Sequence, residues 1–249
     1  MGGRSLAIEV ASGSVEGLDR ADLSLWLNPF LPHFVREAQR CGGEVRVARA
    51  AGGVEAVSVS DPVERVATVF SRSRSTAERF VRERGPYGMY SDFSFEPTAE
   101  RFDILTVSLG SDAPSFHLRH LVRPLRPEDA RPVLELMREV YGAVNERWYD
   151  GLPNPFETGL LAEVDGRLAG VGWVSTVGSH ARLHSLTVRA PYRRMGLGTD
   201  LLFARLLWAQ RAGAEEALSE ISDQNIGSQA IAARGGMRRV GQVYLHRPL

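Results

Sequence analysis

Two arginines and two closely spaced glycines form the part of this sequence that is best suited to bind an anion. Residues 193–199 read Arg-Arg-Met-Gly-Leu-Gly-Thr, with Gly196 and Gly198 one residue apart. Such glycines allow a tight backbone turn whose N–H groups point outward. A following helix adds unsatisfied N–H groups and the positive end of a dipole. We therefore expect this turn, with Arg193 and Arg194 beside it, to bind a phosphate group.

Apolar periodicity predicts a strand before this turn and a helix after it. His184, Leu186 and Val188 alternate at strand spacing, and Pro191 ends the strand. Residues 199–211 repeat apolar side chains at helical spacing. The glycine turn therefore lies in a strand–loop–helix unit, where a helix N-terminus can assist in holding a phosphate.

The order strand, Arg-x-x-Gly-x-Gly, helix resembles the acetyl-CoA-binding signature of the GNAT family of N-acetyltransferases. Arg193, Gly196 and Gly198 occupy its three defining positions. A dinucleotide-binding loop would require a third glycine where Leu201 stands, and a P-loop would require a lysine, which this sequence lacks. A tight connection without a ligand is the structural alternative for the glycine pair alone.

The resemblance implies a set of cofactor-binding residues. Backbone groups at the end of the strand would pair with the pantetheine arm of acetyl-CoA, and N–H groups of the loop would hold its pyrophosphate. Asp200 falls in the first turn of the helix, where the dipole alone explains a carboxylate. The implied cofactor-binding residues are Leu186, Thr187, Val188, Arg193, Arg194, Met195, Gly196, Leu197, Gly198, Thr199, Asn225 and Ser228.

A second segment carries the same resemblance and one departure from it. Residues 225–237 match the length and ends of the family's asparagine-to-glycine helix, so Asn225 corresponds to the asparagine that contacts the cofactor arm. A helix N-cap is the alternative for Asn225. Ala232 stands where the family usually has the tyrosine that protonates the departing thiolate. The acid is therefore missing, supplied by another group such as Tyr244, replaced by water, or unnecessary, and these alternatives stay open.

The catalytic base is expected on the strand that precedes the loop. Family members commonly use a glutamate or a water-bridging residue there, whereas this strand offers His184 and Ser185 and no carboxylate. A histidine can accept a proton near neutral pH, although a packed histidine is the structural alternative. Glu163 and Glu139 are weaker candidates that solvated surface charge explains better. The catalytic candidates are therefore His184 and Ser185, with Tyr244 for the acid.

Aromatic residues follow the first helix of this half, where the family shapes its acceptor pocket. Trp148, Tyr149 and Phe156 lie there among glycines and prolines, a composition that suits a substrate-facing loop. A lid over the core has the same composition. The acceptor is expected to be a small-molecule or peptide amine, which the sequence does not identify further.

No metal-binding set is expected. His180 and His184 would share a strand face about two repeats apart, without a carboxylate or a third histidine to complete a site. His117 and His120 lack such partners too. The single cysteine, Cys41, leaves no internal disulfide and no zinc or iron–sulfur set, which is typical of a reducing compartment.

Composition and charge restrict the classes of partner. The 30 basic and 30 acidic residues cancel, so no overall field favours nucleic acid or an anionic membrane. Every basic residue is an arginine, which excludes a Schiff-base lysine. No apolar run approaches the roughly 18 residues of a membrane span, and no basic segment followed by an apolar run opens the chain. We expect a cytoplasmic protein with neither a nucleic-acid nor a membrane partner, and a homodimer is left open.

The pattern of elements indicates an α+β protein with two domains, residues 1–112 and 117–249. Residues 109–115 carry the glycine, serine, aspartate and proline of a linker. The second domain opens with a strand predicted at 117–124, and Asp165-Gly166 predicts a hairpin. Its order of strand, helix, three strands, helix, strand, helix, strand is that of the GNAT acyl-CoA N-acyltransferase fold, with a mixed sheet.

The first half shows a similar but weaker pattern. A helical pattern over 19–40 is interrupted by Pro29 and Pro32, and a glycine-turn hairpin and a third strand follow. Residues 75–78 form a capping box that opens a helix. Because serines and arginines at 71–75 replace the glycine pair, we predict a degenerate GNAT copy that cannot hold a pyrophosphate. An unrelated small α+β domain explains the same elements equally well.

These features predict an N-acetyltransferase that moves acetyl from acetyl-CoA to a primary amine by direct attack. Nothing indicates an acyl-enzyme, because Cys41 lies in the other half. Ala232 and the missing strand carboxylate motivate the alternative of a catalytically weak or inactive acyl-CoA-binding sensor or interaction module. A third hypothesis has the two halves enclose a larger aminoacyl or sugar-amine acceptor, as in mycothiol-synthase-like tandem members.

Overall fold

A computed structural model of the chain describes residues 7–10, 23–24, 26–50, 53–110 and 115–248. The strands are β1 (Ala7–Val10), β2 (Glu44–Ala50), β3 (Gly53–Asp61), β4 (Val66–Phe70), β5 (Gly88–Ser91), β6 (Glu100–Ser108), β7 (Val122–Pro124), β8 (Glu157–Val164), β9 (Arg167–Val177), β10 (His180–Val188), β11 (Glu216–Ser222) and β12 (Arg238–His246). The α-helices are α1 (Leu31–Cys41), α2 (Arg74–Arg82), α3 (Ala130–Tyr141), α4 (Leu197–Arg211) and α5 (Ile226–Arg234). Short 3-10 turns cover Asn28–Phe30, Pro127–Asp129, Glu146–Tyr149 and Ala190–Tyr192.

The chain divides into two compact units. The first unit comprises Met1–Phe102 with Gln242–Leu249, and the second unit comprises Asp103–Gly241. The division falls inside β6, whereas the linker-like composition of 109–115 follows that strand. Residues 111–114 of this predicted linker, together with the ends of the predicted domain 1–112, lie outside the described residues. The division of the chain therefore lies within β6, before the segment whose composition predicts a linker.

The second unit contains a mixed sheet in which β7, β8, β9, β10, β11 and β6 are neighbours in that order. The pairs from β7 to β10 are antiparallel, and β10 pairs with β11 in parallel. The predicted hairpin is confirmed: Asp165 and Gly166 join β8 to β9 with φ angles of 51° and 71°. Two successive left-handed residues are those of a type I′ turn, which matches the twist of the flanking strands.

Apolar side chains cover both faces of this sheet. On one face Trp173, fully buried, packs in a cluster with Val133 and Leu136 of α3. On the other face, Leu183 packs with Leu201 and other residues of α4. Alternation along each strand therefore sends even- and odd-numbered side chains to different helices. The α3 face and the α4 face defined in this way organise the site described below.

The first unit repeats this order of elements. Its strands β1, β2, β3 and β4 pair antiparallel in sequence, and β4 pairs with β5 in parallel. Helix α1 lies between β1 and β2, as α3 lies between β7 and β8, and α2 lies between β4 and β5, as α4 lies between β10 and β11. This repetition favours the tandem-copy hypothesis over that of an unrelated small domain.

The turn that opens α2 differs from the glycine loop because a serine side chain caps it, whereas no side chain caps the glycine loop. Ser73 is the N-cap, and its Oγ accepts a hydrogen bond from the Thr76 N–H at 3.3 Å. The capping residue is thus Ser73, and the predicted capping box at 75–78 was placed two residues late. Arg74 is also engaged, because it donates to the Ser94 carbonyl and its guanidinium lies 5.0 Å from the Phe95 ring centre. In this turn the Thr76 N–H is therefore already bonded to the Ser73 side chain, and the Arg74 side chain is already engaged.

A further predicted element is shorter in the structure. The helical pattern over 19–40 yields a regular helix only from Leu31, with Pro32 in its first turn, where the missing proline N–H costs nothing. Residues 19–22 and 25 of that pattern lie outside the described residues.

Among the helices that the structure describes, none is long and apolar enough to cross a bilayer.

A buried carboxylate connects β7 to the start of α3. Asp129 accepts hydrogen bonds from both Nη atoms of Arg123 at 2.6 and 2.8 Å, and from the Arg126 backbone N–H at 2.7 Å. The Arg123 hydrogen bonds hold the pKa of Asp129 below its ordinary value against the opposing effect of desolvation. Asp129 therefore stabilises the fold in its charged form.

We expect Asp129→Asn to lower the melting temperature most near neutral pH. Since the folded-state pKa is depressed, the carboxylate's stabilisation is present above its unfolded-state pKa and is lost as the pH falls through the folded-state value. The expected cost at neutral pH is about 1.5–3 kcal/mol, and it should shrink below about pH 4. Thermal unfolding across this range tests it, with Glu128→Gln on the exposed side of the same turn as control. A cost that does not change with pH would contradict this account.

Candidate cofactor-binding and catalytic site

A β-bulge lies near the end of β10. The antiparallel register passes from His184–Trp173 to Thr187–Val171, so Ser185 and Leu186 together face Gly172 of β9. Ser185 adopts the left-handed region with φ of 49°. Bulges of this kind redirect side chains and are common beside active sites. His184 and Ser185, the predicted catalytic pair, therefore lie at the irregular point of the strand.

Strands β10 and β11 pair only over the first third of β10. Their parallel register runs from His180–Glu216 to Arg182–Leu218, and the described residues show no pair beyond it although β10 continues to Val188. The Ser219 hydroxyl donates to the Leu183 carbonyl at 2.8 Å, just past the last pair. The edge of residues 186–188 that faces β11 thus lacks a strand partner within the described residues.

The glycine loop lies directly after this open edge. Arg194 and Gly196 have φ angles of 65° and 94°, and Gly196 caps α4 without a side-chain hydrogen bond. Within the described residues, the N–H groups of 194–196 form no backbone hydrogen bond. The Arg193 guanidinium donates to the Val188 carbonyl at 3.1 Å, which ties the loop to the end of β10. Alternating left-handed residues of this kind form a concave anion site.

Gly198 has a packing role that the sequence did not reveal. A β-carbon built on Gly198 would lie 2.8 Å from Ile231 Cδ1, so the missing side chain lets α4 approach α5. At the start of α5, Asn225 Oδ1 accepts a hydrogen bond from the Ser228 N–H at 3.1 Å. The N-cap alternative for Asn225 is therefore realised, and both residues of this cap are predicted cofactor-binding residues.

A carboxylate that sequence reasoning missed lies beside His184. Glu157, at the start of β8, is only 1 % exposed, and its Oε1 lies 3.7 Å from His184 Nε2. Both side chains are on the α3 face, where Tyr149 packs against Trp173 with ring centres 5.2 Å apart. The signal that could have indicated Glu157 is its spacing from Leu161. Residues four apart on a strand have side chains on the same face, and Leu161 lies in the core of the α3 face.

Ser185 is also close to the His184 ring. Ser185 Oγ lies 3.4 Å from His184 Nδ1, a long contact between chain neighbours. The imidazole thus has the serine hydroxyl near one nitrogen and the Glu157 carboxylate near the other. This arrangement suits proton transfer by His184 better than a nucleophilic Ser185, because the serine contact exceeds usual O–H hydrogen-bond distances.

A buried arginine supports the bulge from the α4 face. Arg205 is 3 % exposed and donates to the carbonyls of Leu201 at 3.1 Å and of Trp173 and His184 at 3.3 Å. A β-carbon on Gly172 would lie 2.9 Å from Arg205 Nε, so the missing side chain of this glycine makes room for the guanidinium. Burial lowers the pKa of Arg205 to about 10, which leaves it charged at neutral pH. In the described part of the chain no carboxylate pairs with Arg205.

The predicted acceptor residues have different environments. Tyr149 is 8 % exposed and belongs to the core cluster of the α3 face, as the lid alternative expects. Phe156 is 58 % exposed, whereas the side chain of Trp148 lies outside the described residues. The half-exposed Tyr141 was not predicted, and its hydroxyl accepts a hydrogen bond from Thr187 Oγ1 at 3.2 Å.

The remaining candidates have other partners or are buried in the core. Tyr244 lies in the first unit, opposite Ser91 on β5, and its hydroxyl donates to Gln242 at 3.3 Å. Glu163 accepts hydrogen bonds from Arg123, and Glu139 accepts one from Arg189. Ala232 is buried in the core cluster of α4. Among the described residues no group of three or more metal-ligating side chains occurs.

Comparison with protein families agrees with this geometry. The model of the Acetyltransferase (GNAT) family matches residues 122–237. A search of curated proteins gives no match. The matched segment begins at β7 and ends just before β12, so it covers the bulge, the open strand edge and the glycine loop.

Solved structures share the fold at low sequence identity. A GCN5-related N-acetyltransferase from Sphaerobacter thermophilus has a TM-score of 0.60 and 16 % identity, covering 87 % of this chain and 84 % of its own. A Drosophila protein has a TM-score of 0.65 and 15 % identity over 98 % of both chains. A tandem GNAT protein from the clavulanic acid biosynthesis pathway has a TM-score of 0.59 and 16 % identity over 97 % of both chains.

These similarities confirm the predicted α+β fold with a mixed sheet. The tandem relative extends across both units, in agreement with their repeated order of elements. The family match covers the segment that carries the loop and the bulge. Residues 122–237, which lie within the second unit, therefore form a GNAT acetyltransferase domain.

Proposed function

We propose that the second unit transfers an acetyl group from acetyl-CoA to a primary amine by direct attack. The observation that carries this proposal is the parting of β10 and β11 next to a glycine loop with free N–H groups in the described residues. An extended amide-bearing chain can pair with the open strand edge as an added strand does. A pyrophosphate at its end would then meet the loop and the N-terminus of α4.

The residues present fit such a cofactor. N–H groups of 194–198, with the charges of Arg193 and Arg194, suit the two phosphates, and backbone groups of 186–188 suit the amides of the arm. The Thr199 N–H, which the sequence also suggested, donates to the Gly196 carbonyl at 2.9 Å. Asn225 and Ser228 at the start of α5 are the proposed contacts on the β11 side. When bound, acetyl-CoA supplies a thioester carbonyl as the acyl donor.

His184 is the proposed base for the incoming amine. Its imidazole would take the proton from the ammonium group, and the buried carboxylate of Glu157 would stabilise the resulting imidazolium. The Arg205 guanidinium donates a hydrogen bond to the His184 backbone carbonyl, and this contact holds His184 in place at the bulge. A bond forms between the amine nitrogen and the acyl carbon as the carbon–sulfur bond breaks, and the second proton of the nitrogen passes to the departing thiolate, directly or through water, which gives an amide and free CoA. The departing thiolate needs no protein acid, because thiols are far more acidic than alcohols.

One observation favours a second candidate, an acyl-CoA-binding module with little or no turnover. Ala232, at the position where the family usually has the tyrosine that protonates the departing thiolate, is buried in the core. Tyr244, the substitute suggested by the sequence, donates its hydroxyl to Gln242. A protein without a thiolate acid would still bind the cofactor through the loop and the strand edge.

A thiol-release assay distinguishes the two candidates. The full chain is incubated with acetyl-CoA and, separately, with small amines, amino sugars, aminoacyl compounds and lysine-containing peptides, and free CoA is followed over time. Transfer predicts release that depends on the amine and an acetylated product in the mass spectrum. Tight binding of acetyl-CoA without amine-dependent release from any of these acceptors would favour the module. Absence of acetyl-CoA binding would contradict both.

A further inference from the structure

The segment before β7 crosses the first turn of α4 instead of forming a strand. The strand predicted at 117–124 begins only at Val122, because the His120 backbone N–H donates to Asp200 Oδ2 at 3.0 Å. The Phe116 ring packs on Phe203 of α4, with ring centres 5.2 Å apart. This segment, residues 115–121, is therefore held beside the glycine loop by contacts with α4 and not by pairing with a strand.

A histidine–aspartate pair results from this crossing. His120 Nδ1 lies 2.6 Å from the same Asp200 oxygen, and the Asp200 side chain is 3 % exposed. A carboxylate in the first turn of α4 interacts favourably with the helix dipole, but it would repel a phosphate bound there. The contact with His120 engages the Asp200 oxygen and fixes the imidazole beside the loop. The helix dipole alone thus does not account for Asp200.

The other side of the ring is directed toward the glycine loop. His120 Cε1, which lies between the two ring nitrogens, is 3.9 Å from the position that a β-carbon on Gly196 would take. With Nδ1–H donated to Asp200, Nε2 is the ring nitrogen that remains for a ligand. In the described part of the chain Nε2 forms no hydrogen bond.

We propose that His120 is a further ligand of the cofactor's diphosphate, donating from Nε2 as an imidazolium while Asp200 holds the ring by Nδ1. This inference rests on the proposed function, since it needs a diphosphate in the glycine loop. Imidazolium is favoured when a phosphate and a carboxylate flank the same ring. Cofactor binding should therefore be coupled to proton uptake by the protein.

Other charged groups surround this pair. Arg193 and Arg194 lie in the loop, and Arg119 lies on the same segment as His120. From α5, Arg234 Nη1 reaches to 3.5 Å from the Thr199 hydroxyl. These guanidinium groups stay protonated at neutral pH and exchange no protons on binding. Proton uptake therefore reports on histidine, which changes its charge between roughly pH 5 and 8.

Isothermal titration with acetyl-CoA at about pH 8, where most histidines are neutral, tests the proposal. Titrations in two buffers with different heats of ionisation give the number of protons taken up. Wild-type protein should take up a substantial fraction of one proton, whereas His120→Gln should take up almost none and bind roughly tenfold to hundredfold more weakly. His117→Gln, an exposed histidine on the same segment, should behave as wild type.

A second ligand and a second variant separate the outcomes. S-acetyl-pantetheine lacks the diphosphate, so the His120→Gln change should not alter its affinity. If His120→Gln fails to fold because Asp200 is left without its partner, His120→Gln/Asp200→Asn removes that carboxylate and should fold while still lacking proton uptake. If the wild type binds acetyl-CoA and these variants bind it with the same affinity and the same proton uptake, the proposed role of His120 is wrong. No binding of acetyl-CoA by the wild type would instead overturn the proposed function.

Discussion

Gly196→Val is expected to reduce the affinity for acetyl-CoA by at least about 100-fold, through loss of several charge-assisted hydrogen bonds. Gly196 has a φ of 94°, a conformation that strains a β-branched residue by roughly 1–3 kcal/mol. Relief of this strain would turn the loop N–H groups away from the diphosphate. Arg193→Glu should weaken binding too, since it reverses a charge beside the loop and removes the hydrogen bond to Val188. Isothermal titration measures both effects.

A glycine at the opposite end of β10 provides the matched control. Gly178, in the turn between β9 and β10, has a φ of 58°, so Gly178→Val introduces comparable backbone strain away from the loop. It should lower the melting temperature but leave the affinity for acetyl-CoA unchanged. If folded Gly196→Val and Arg193→Glu proteins both bind with wild-type affinity, the cofactor does not use this loop.

His184→Gln is expected to lower kcat by about 10²–10⁴-fold once an acceptor amine is known, the usual contribution of a general base. The KM for acetyl-CoA should change little, because the loop and the strand edge remain. Glu157→Gln should lower kcat less and in the same direction, since its carboxylate acts only through the imidazole 3.7 Å away. Steady-state kinetics in which each substrate is varied while the other is saturating measures kcat and the KM for acetyl-CoA.

The same strand contains a second histidine–glutamate pair that serves as a control. His180 Nε2 lies 3.8 Å from Glu216 Oε2 at the start of β10, nearly the separation found for His184 and Glu157. His180→Gln should therefore retain wild-type kcat. Full activity in His184→Gln would rule out His184 as the base, and equal losses in His180→Gln and His184→Gln would indicate a general effect on β10.

Local sequence patterns were sufficient for the elements whose geometry depends on adjacent residues. The glycine loop and the Asp165-Gly166 turn were predicted correctly because their φ angles favour particular residues at particular positions. The same applies to the strand and helix on either side of the loop, although α4 starts at Leu197 instead of residue 199. Register with a partner strand was not needed for any of these predictions.

Contacts between distant segments were not predictable in this way. The strand predicted at 117–124 was too long, because its alternating pattern carries no information about Asp200, which captures the His120 N–H. Arg205 gave no sequence signal, since a charged residue in an amphipathic helix is ordinarily solvated. Only the packing of α4 on the sheet turns it into a buried support for the bulge.

The sequence by itself determined that this chain contains an Arg-x-x-Gly-x-Gly turn between a strand and a helix, within a GNAT-like order of elements. Short-range backbone preferences and apolar periodicity contain that information. The tertiary structure alone decided which side chains surround the loop and the bulge. Glu157 reaches His184 across β9, and His120 reaches Asp200 across the first turn of α4, because sheet register and helix packing bring together residues that are remote in the chain.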